Sequence, residues 1–305
     1  MHDQTPAIET RGLTKVYGRK EALAGLNLQI PRSQVTALIG HNGAGKTTLI
    51  RLLLGMMTPT RGRSSLLGQD SQQLAPEVRA RIGYLAEGHY LWRWMRAKDA
   101  AKFQRETFPK WDAKLFDAML EFFGVSPDAK VRSISRGQRA GVSLAMTLAT
   151  DPELLVLDDP SMGLDPVARR ALVEGLLAFA RREGRTILIC THLLDDVERL
   201  ADRIAILSEG RLVVNAAVDS FQQRLSGWEI DGSVPSAPAI PGLVDVRSTG
   251  HATRLVVSDA DQETEAAIQR LSGHASPQQL SLEDAVLAYL RPSTSVGSIS
   301  NLIGA

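Results

Sequence analysis

The sequence contains almost no cysteine. Its 305 residues include one, Cys190, in the apolar run TILIC (186–190). A single cysteine excludes a framework of intramolecular disulfides, and the reduced interior of a cell is the setting that fits such a chain. The apolar neighbours of Cys190 predict that it packs in a core.

Long apolar runs and an excess of one charge are also missing. No segment approaches the roughly 18 apolar residues of a membrane-spanning helix, and the first ten residues, MHDQTPAIET, lack the pattern of a signal peptide. Lys and Arg number 35 against 34 Asp and Glu, so no general attraction to nucleic acid or to an anionic membrane is visible. We therefore expect a soluble, cytoplasmic chain that reaches a membrane only through a partner.

The chain has the composition of a globular protein, with 44% hydrophobic and 23% charged residues. Up to about residue 217, short apolar runs alternate with helical patterns, which favours an α/β fold with a parallel sheet covered by helices. One helical stretch is expected between Trp92 and Gly124. We place a first domain at 1–217, a small α+β accessory domain at 218–290 and a flexible tail at 291–305.

A phosphate-binding loop is predicted between a strand and a helix. The segment GHNGAGKTT matches G-x-x-x-x-G-K-[ST] in the context that makes this motif credible. In this motif glycines turn backbone N–H groups toward phosphates, the lysine reaches the β- and γ-phosphates of ATP, and the first threonine can ligate Mg²⁺. Its residues are Gly40, His41, Asn42, Gly43, Ala44, Gly45, Lys46, Thr47 and Thr48; His41 receives no chemistry of its own.

Two adjacent carboxylates end the apolar run LLVL. Asp158 is placed to organise Mg²⁺ across the sheet from the phosphate loop. Asp159 would then stand beside the γ-phosphate, where a carboxylate can orient the attacking water and accept its proton. A solvated pair at a strand end is the commoner explanation of such a sequence alone, and the phosphate loop upstream favours the functional one.

The segment from Ile134 to Pro166, ISRGQRAGVSLAMTLATDPELLVLDDPSMGLDP, resembles the signature-to-D-loop block of the ABC ATPases. The resemblance covers about residues 8–214. It implies a RecA-like core, a helical signature subdomain and an antiparallel β subdomain. It also implies the ATP-binding subunit of a membrane transporter, working with Mg²⁺ as a head-to-tail dimer.

The same resemblance assigns roles to other residues. Tyr17 matches the aromatic residue on which adenine stacks, and a buried strand aromatic is the alternative. Glu87 falls where the family usually has Gln, a group that touches the metal or the lytic water, and His192 matches the switch histidine near the γ-phosphate. The signature residues, expected to bind the γ-phosphate held by the opposite subunit, are Ser135, Arg136, Gly137 and Gln138. Arg136 replaces a usual Gly.

The resemblance also implies partners. These are an integral membrane permease on the inner face of the cell membrane and a second ATPase subunit, either identical or different. The C-terminal SLEDAVLAYL and Glu87 favour export over import. Trp92, Arg93 and Trp94 are candidates for permease contact, with a buried helical core as the alternative. A soluble ATPase acting on ribosomes or DNA is the runner-up; no nucleic-acid partner is expected.

Asp159 departs from the family, which usually has Glu at this place. The carboxylate is one methylene shorter, and misplacement on that scale can cost about 10²-fold in rate. Three hypotheses remain: a slower base, a degenerate site served by another subunit, or water positioned by Glu87. We favour slow hydrolysis, and a regulatory module that binds ATP without turnover stays an alternative.

Overall fold

The computed structural model describes residues 5–108, 110–232, 234, 239–248, 251–272 and 275–291. The chain divides into two compact units, the first ending at Asn215 and the second beginning at Ala216. Apart from Arg291, the tail predicted at 291–305 lies outside the described residues. Within the described ranges, no helix has the length and apolarity needed to cross a bilayer.

Strands and helices alternate along much of the chain. The strands are β1 (Ile8–Tyr17), β2 (Lys20–Ile30), β3 (Val35–Ile39), β4 (Arg61–Leu66), β5 (Gln69–Asp70), β6 (Ile82–Leu85), β7 (Leu154–Asp158), β8 (Thr186–Cys190), β9 (Arg203–Ser208), β10 (Arg211–Ala217), β11 (Leu225–Asp231), β12 (Leu243–Ser248), β13 (Ala252–Ser258) and β14 (Pro277–Gln279). The helices are α1 (Lys46–Leu53), α2 (Pro76–Arg79), α3 (Ala97–Thr107), α4 (Ala113–Phe122), α5 (Arg136–Leu148), α6 (Pro166–Ala180), α7 (Leu194–Leu200), α8 (Val218–Gln223), α9 (Gln262–Leu271) and α10 (Leu282–Leu290).

A six-stranded sheet in the order β10-β9-β3-β8-β7-β6 forms the centre of the first unit. Its strands from β9 to β6 pair in parallel. Strands β3, β7 and β8 are buried along their whole length, which is typical of strands that are covered on both faces. The predicted α/β class is confirmed. Because β3, β8 and β7 are parallel neighbours, the residues that follow them meet at one edge of the sheet.

A second sheet of the first unit is antiparallel, in the order β2-β1-β4-β5. Tyr17 and Lys20 pair at the tip of the β1–β2 hairpin. Aliphatic side chains from this sheet, such as Leu13 and Leu28, share one buried core with Leu49 of α1 and Leu188 of β8. This shared core packs the antiparallel sheet against helix α1, which follows the phosphate loop.

The helical stretch predicted between Trp92 and Gly124 is corrected to two helices, α3 and α4, which begin after Trp94. Phe108 is extended, and the proline that follows it in the sequence disfavours helical backbone at that position. Asp112 then caps α4 by accepting a hydrogen bond from the Leu115 N–H. Just beyond α4, the ring of Phe123 packs on Gly141 of α5, where a Cβ would overlap it.

The second unit has its own antiparallel sheet, in the order β12-β13-β11-β14. Its core contains Trp228, Leu255, Val257 and Ile268. Helix α10 is capped by a residue adjacent to it in the sequence, because the Ser281 hydroxyl accepts a hydrogen bond from the Asp284 N–H.

Candidate nucleotide-binding site

The loop between β3 and α1 has a backbone that requires glycine. Gly43 and Gly45 have φ values of 84° and 108°, in the left-handed region that glycine enters without steric cost. A Cβ on Gly45 would lie 2.6 Å from the carbonyl oxygen of Ala22. Helix α1 begins directly after Gly45 without a side-chain cap, so its first N–H groups and its positive end are offered to an anion.

Lys46 lies over this loop. Its Nζ donates hydrogen bonds to the carbonyl oxygens of Gly40, at 2.6 Å, and His41, at 3.1 Å. His41 and Asn42 are exposed, whereas Ala44 is buried. The ammonium group therefore stands above the loop that the sequence assigned to phosphate binding.

Asp158, at the end of β7, is 3% exposed. Burial raises the pKa of Asp158, the hydrogen bond from the Thr47 side chain lowers it, and the negative charges of Glu87 and Asp159 raise it again. The net direction is upward, because withdrawal from water and two neighbouring carboxylates disfavour the charged form. Two of the three residues predicted to ligate metal, Thr47 and Asp158, are thus in direct contact, and the third, Glu87, lines the same cleft.

Asp159 and His192 form a pair. The His192 Nδ1 and the Asp159 Oδ2 are 2.8 Å apart, and an ionised carboxylate accepts the hydrogen bond in this geometry. The other oxygen, Oδ1, is buried and has no hydrogen-bond partner among the described residues. Asp159 has a φ of 49°, in a left-handed region where Asp is several-fold enriched among non-glycine residues. One carboxylate oxygen is thus engaged, and the other is buried without a hydrogen-bond partner in the described part of the chain.

A cleft of about 430 Å³ lies at the phosphate loop, lined by Asn42, Gly43 and Lys46 among others. Tyr17 and Glu87 line it together with Thr47, Asp158 and Asp159. Tyr17 is 45% exposed, its hydroxyl contacts the Met57 sulfur at 2.8 Å, and its ring is therefore not part of a core. The structure brings together the residues predicted to contact base, phosphate and metal.

Sequence reasoning missed some residues around the cleft. Lys20, Ala22 and Met162 also line it. Lys20 had a detectable signal, because it follows the turn after Tyr17 and pairs with it across the hairpin. His89 was missed as well: it is buried and its Nε2 lies 2.8 Å from the carbonyl oxygen of Pro160, which follows Asp159.

The predicted signature residues begin α5 and do not line this cleft. The Ser135 hydroxyl accepts from the Gln138 N–H at 3.1 Å, and the Gln138 side-chain oxygen accepts from the Ser135 N–H at 3.0 Å. They form a reciprocal cap of the helix. A Cβ on Gly137 would overlap Ala168 of α6, and a Cβ on Gly163 would overlap the Arg136 guanidinium. Their role across a dimer interface stays a prediction.

The aromatic residues that follow the Glu87 loop lie at the surface. Tyr90, Trp92 and Trp94 are 88%, 64% and 70% exposed, and the two indole rings stack with centroids 6.1 Å apart. The buried helical core, which was the alternative to permease contact for Trp92 and Trp94, is wrong. They form a surface that we call the aromatic patch, defined by Tyr90, Trp92 and Trp94.

A phosphate-binding loop and a buried carboxylate on nearby strands of one parallel sheet are the arrangement of the P-loop nucleotide-binding proteins. Residues 23–162 match the family model of the ABC transporter. The chain is 32% identical over 271 residues to the Nod factor export ATP-binding protein I of Neorhizobium galegae, covering 85% of this chain and 77% of that protein. It therefore belongs to the ATP-binding subunits of ABC transporters.

Other relatives agree. The bacitracin transport ATP-binding protein BcrA of Bacillus licheniformis is 31% identical over 219 residues, covering 71% of this chain and 72% of that protein. A solved ATP-binding subunit of an ABC transporter matches with a TM-score of 0.65 and 26% identity, over 71% of this chain and 92% of its own. The ATP-binding cassette MJ0796, solved as a dimer with ADP and Pi, matches with a TM-score of 0.61 over 69% of this chain and 98% of its own; at 21% identity it supports the fold.

Proposed function

We propose that this chain hydrolyses ATP and that the cycle drives a separate membrane subunit of an export transporter. The observation that carries the proposal is that Lys46, the Thr47–Asp158 contact and Asp159 line one cleft, and that His192 is paired with Asp159. Export is supported by the names of relatives that serve bacitracin transport and Nod factor export. Import is the alternative within the same family.

The residues present fit Mg²⁺. Thr47 and Asp158 supply the hard oxygen atoms that this ion prefers, and Glu87 lies close enough to raise the pKa of Asp158. The buried negative charge at the end of β7 is of the kind that a divalent cation compensates. When bound there with ATP, Mg²⁺ neutralises charge on the β- and γ-phosphates, and Thr47 and Asp158 would hold it.

Asp159 is the proposed general base. Its buried Oδ1 has no partner among the described residues, so no hydrogen bond would have to break before it accepts a proton from a water placed beside it. Its Oδ2 is held by the His192 Nδ1–H, which leaves the imidazole Nε2 for the γ-phosphate. Lys46 and the loop N–H groups would stabilise the charge on the transferred phosphoryl group.

ATP-dependent dimerisation is the second part of the proposed function. Ser135 and the N–H groups at the start of α5 would face the nucleotide bound by a second subunit, the same chain or another. Ser135 is exposed, so its hydroxyl is accessible despite its capping bond. Sedimentation with Mg²⁺-ATP, using Asp159→Asn to slow turnover, should show a dimer that disperses when nucleotide is removed.

The aromatic patch is the proposed contact with the permease. Exposed apolar surface of this kind marks interaction sites, and the stacked Trp92 and Trp94 lie just beyond Glu87 of the cleft. We expect Trp92→Ser with Trp94→Ser to reduce recovery of the subunit in membranes that contain its permease. Basal ATP hydrolysis by the purified chain should be retained, which separates docking from chemistry.

The deciding experiment is steady-state, Mg²⁺-dependent phosphate release by the purified chain, beside three variants. Lys46→Ala should remove turnover because it deletes the charge above the phosphate loop. Asp159→Asn should lower kcat at least about 10²-fold, the usual contribution of a general base. Asp159→Glu should keep turnover, because a carboxylate remains.

The outcomes separate the alternatives. Turnover that needs Lys46 and Asp159 establishes an ATPase whose base is an aspartate. Binding of ATP without phosphate release would overturn hydrolysis by the isolated chain and favour an ATP-switched binding module. Unchanged release in Asp159→Asn would move the base to another residue, with Glu87 the next to test.

A further inference from the structure

The turn from Ala86 to Tyr90 joins the nucleotide cleft to the aromatic patch. Glu87 lines the cleft, and Tyr90, three residues later, is 88% exposed. Between them Gly88 and His89 have φ values of 86° and 50°. A left-handed backbone is unfavourable for a histidine unless surrounding contacts hold it. Here the holding contact is made by the His89 side chain, which is 2% exposed although Glu87 and Tyr90 in the same turn are exposed.

His89 reaches across to the loop that follows β7. Its Nε2 lies 2.8 Å from the carbonyl oxygen of Pro160, 71 residues away in sequence. A carbonyl oxygen only accepts, so Nε2 carries the proton. The other ring nitrogen, Nδ1, is buried with no hydrogen-bond partner among the described residues.

The surroundings keep this imidazole neutral. Burial lowers the pKa of His89, the bond to Pro160 opposes that shift, and the positive charges of Arg136 and Arg139 add to it. A second proton on Nδ1 would be buried without an acceptor near two cations. His89 is thus held as a neutral donor on Nε2.

The bond to Pro160 acts on Asp159, the residue just before it. The Asp159 N–H donates to the carbonyl oxygen of Cys190 at 3.0 Å. The chain is therefore fixed on one side of Asp159 by β8 and on the other by His89. Between these two points Asp159 keeps a φ of 49°, and its carboxylate stays on His192.

We propose that His89 is a positioning residue of the hydrolytic site, which holds Asp159 in place through Pro160 and links it to the aromatic patch. The inference rests on the proposed ATPase function and adds the route by which a partner docked on the patch alters the base. Movement of Tyr90 and its neighbours would pull on His89, and through Pro160 on Asp159.

The test compares two replacements of His89. Gln carries its amide nitrogen the same number of bonds from Cβ as Nε2, so His89→Gln keeps a donor, whereas His89→Met fills space without one. We expect His89→Met to lower kcat by about tenfold to 10²-fold, the cost of a small misplacement, with KM for ATP within about twofold of the parent. His89→Gln should recover most of kcat.

A matched control removes a buried donor elsewhere in the first unit. The Thr150 hydroxyl donates to the Thr147 carbonyl oxygen at 2.8 Å, away from the cleft. Thr150→Val should leave kcat unchanged. Melting temperatures of all variants, with ATP affinity, establish that each is folded under assay conditions.

A second readout does not require turnover. In a histidine-labelled chain, the ring nitrogen signals of His192 report its bond to Asp159. They should shift in His89→Met and stay at the parent position in His89→Gln and Thr150→Val. Unmoved His192 signals together with unchanged kcat in His89→Met would overturn the inference.

A failure of the proposed ATPase function can be distinguished from a failure of the role proposed for His89. If the parent releases no phosphate, hydrolysis by the isolated chain is wrong, and the His192 signals alone decide the role of His89. If the parent hydrolyses ATP and His89→Gln is as slow as His89→Met, the donor on Nε2 is not what positions Asp159.

Discussion

The carboxylate of Asp158 does little to stabilise the nucleotide-free chain. The carboxylate is 3% exposed beside Glu87 and Asp159, and burial raises its pKa. Such a group is suited to a ligand that brings positive charge, and it is unfavourable without one. Natural binding sites commonly trade stability for function in this way.

We expect Asp158→Asn to stabilise the nucleotide-free chain by about 0.5–2 kcal/mol while abolishing Mg²⁺-dependent ATP hydrolysis. The amide removes the buried charge and still accepts the bond from Thr47. The measurement is thermal unfolding at neutral pH beside the exposed Asp117→Asn, which should melt like the parent. A lower melting temperature in Asp158→Asn would show that the charge stabilises the free chain.

The pH dependence has a definite sign. Because the folded-state pKa of Asp158 is raised above the ordinary aspartate value of 3.8, the folded chain binds more protons than the unfolded chain between the two values. The contribution of Asp158 to stability is complete below pH 3.8 and declines as the pH rises through the folded-state pKa. Subtracting the Asp158→Asn curve from the parent curve, without nucleotide, should reveal this decline.

Two glycines in the packed helices α5 and α6 differ in the space that is open to an added side chain. A Cβ on Gly137 of α5 would lie 2.5 Å from the Ala168 Cβ, whereas one on Gly175 of α6 would meet only the ends of Met119 and Leu144, at 3.3 and 3.4 Å. Both glycines are helical with ordinary φ. A Cβ on Gly137 would therefore force α5 and α6 apart. A Cβ on Gly175 would be accommodated by small movements of flexible side chains.

Gly137→Ala should therefore destabilise the first unit by about 1–3 kcal/mol, the usual cost of overpacking. Gly175→Ala should be neutral or slightly stabilising, since alanine favours helix by about 0.8–1.0 kcal/mol. Denaturant midpoints of the two variants measure the difference. Equal midpoints would contradict the packing of α5 on α6 at this place.

Helix α5 also depends on its cap. Ser135→Ala should cost about 0.5–2 kcal/mol through loss of the bond from the Gln138 N–H. Ser135→Asp should restore stability, because Asp caps equally well, and should still impair ATP-dependent dimerisation, because its charge would repel the γ-phosphate. Chemical denaturation and sedimentation measure the two effects separately; a Ser135→Asp chain that dimerises normally would remove Ser135 from the nucleotide interface.

At the scale of the whole molecule, the chain consists of two compact units, and each contains a buried core. Leu28 belongs to a core of the first unit and Leu255 to a core of the second. Chains with more than one compact unit often unfold in more than one step. A ligand bound by one unit raises the stability of that unit by mass action.

We expect calorimetry to show two transitions, with Mg²⁺-ATP raising only that of the first unit. Leu255→Ala should lower the other transition, at a cost of about 2–5 kcal/mol, and leave ATP affinity unchanged. Leu28→Ala is the reciprocal control and should lower the nucleotide-sensitive transition. A single transition that shifts as a whole in every sample would mean that the two units unfold together.

Local features were predictable because their parts are adjacent in the chain. The loop between β3 and α1 and the Ser281 cap of α10 need only neighbouring residues, so the sequence by itself determined them. The end of β7 was equally readable, since a buried strand that finishes in Asp158 is visible as an apolar run. The break before α4 has a local signal as well, the proline after Phe108. It was missed because the residues on both sides of that proline have helical composition.

Only the tertiary structure decided which distant groups meet and which side chains reach solvent. Asp159 meets His192 across 33 residues and Pro160 meets His89 across 71, and no local preference specifies such contacts. The exposure of Trp92 and Trp94 was equally undetermined, because aromatic residues suit a core as well as an interface. These contacts depend on the order of strands in the sheet, since that order brings the loops after β6, β7 and β8 to one edge.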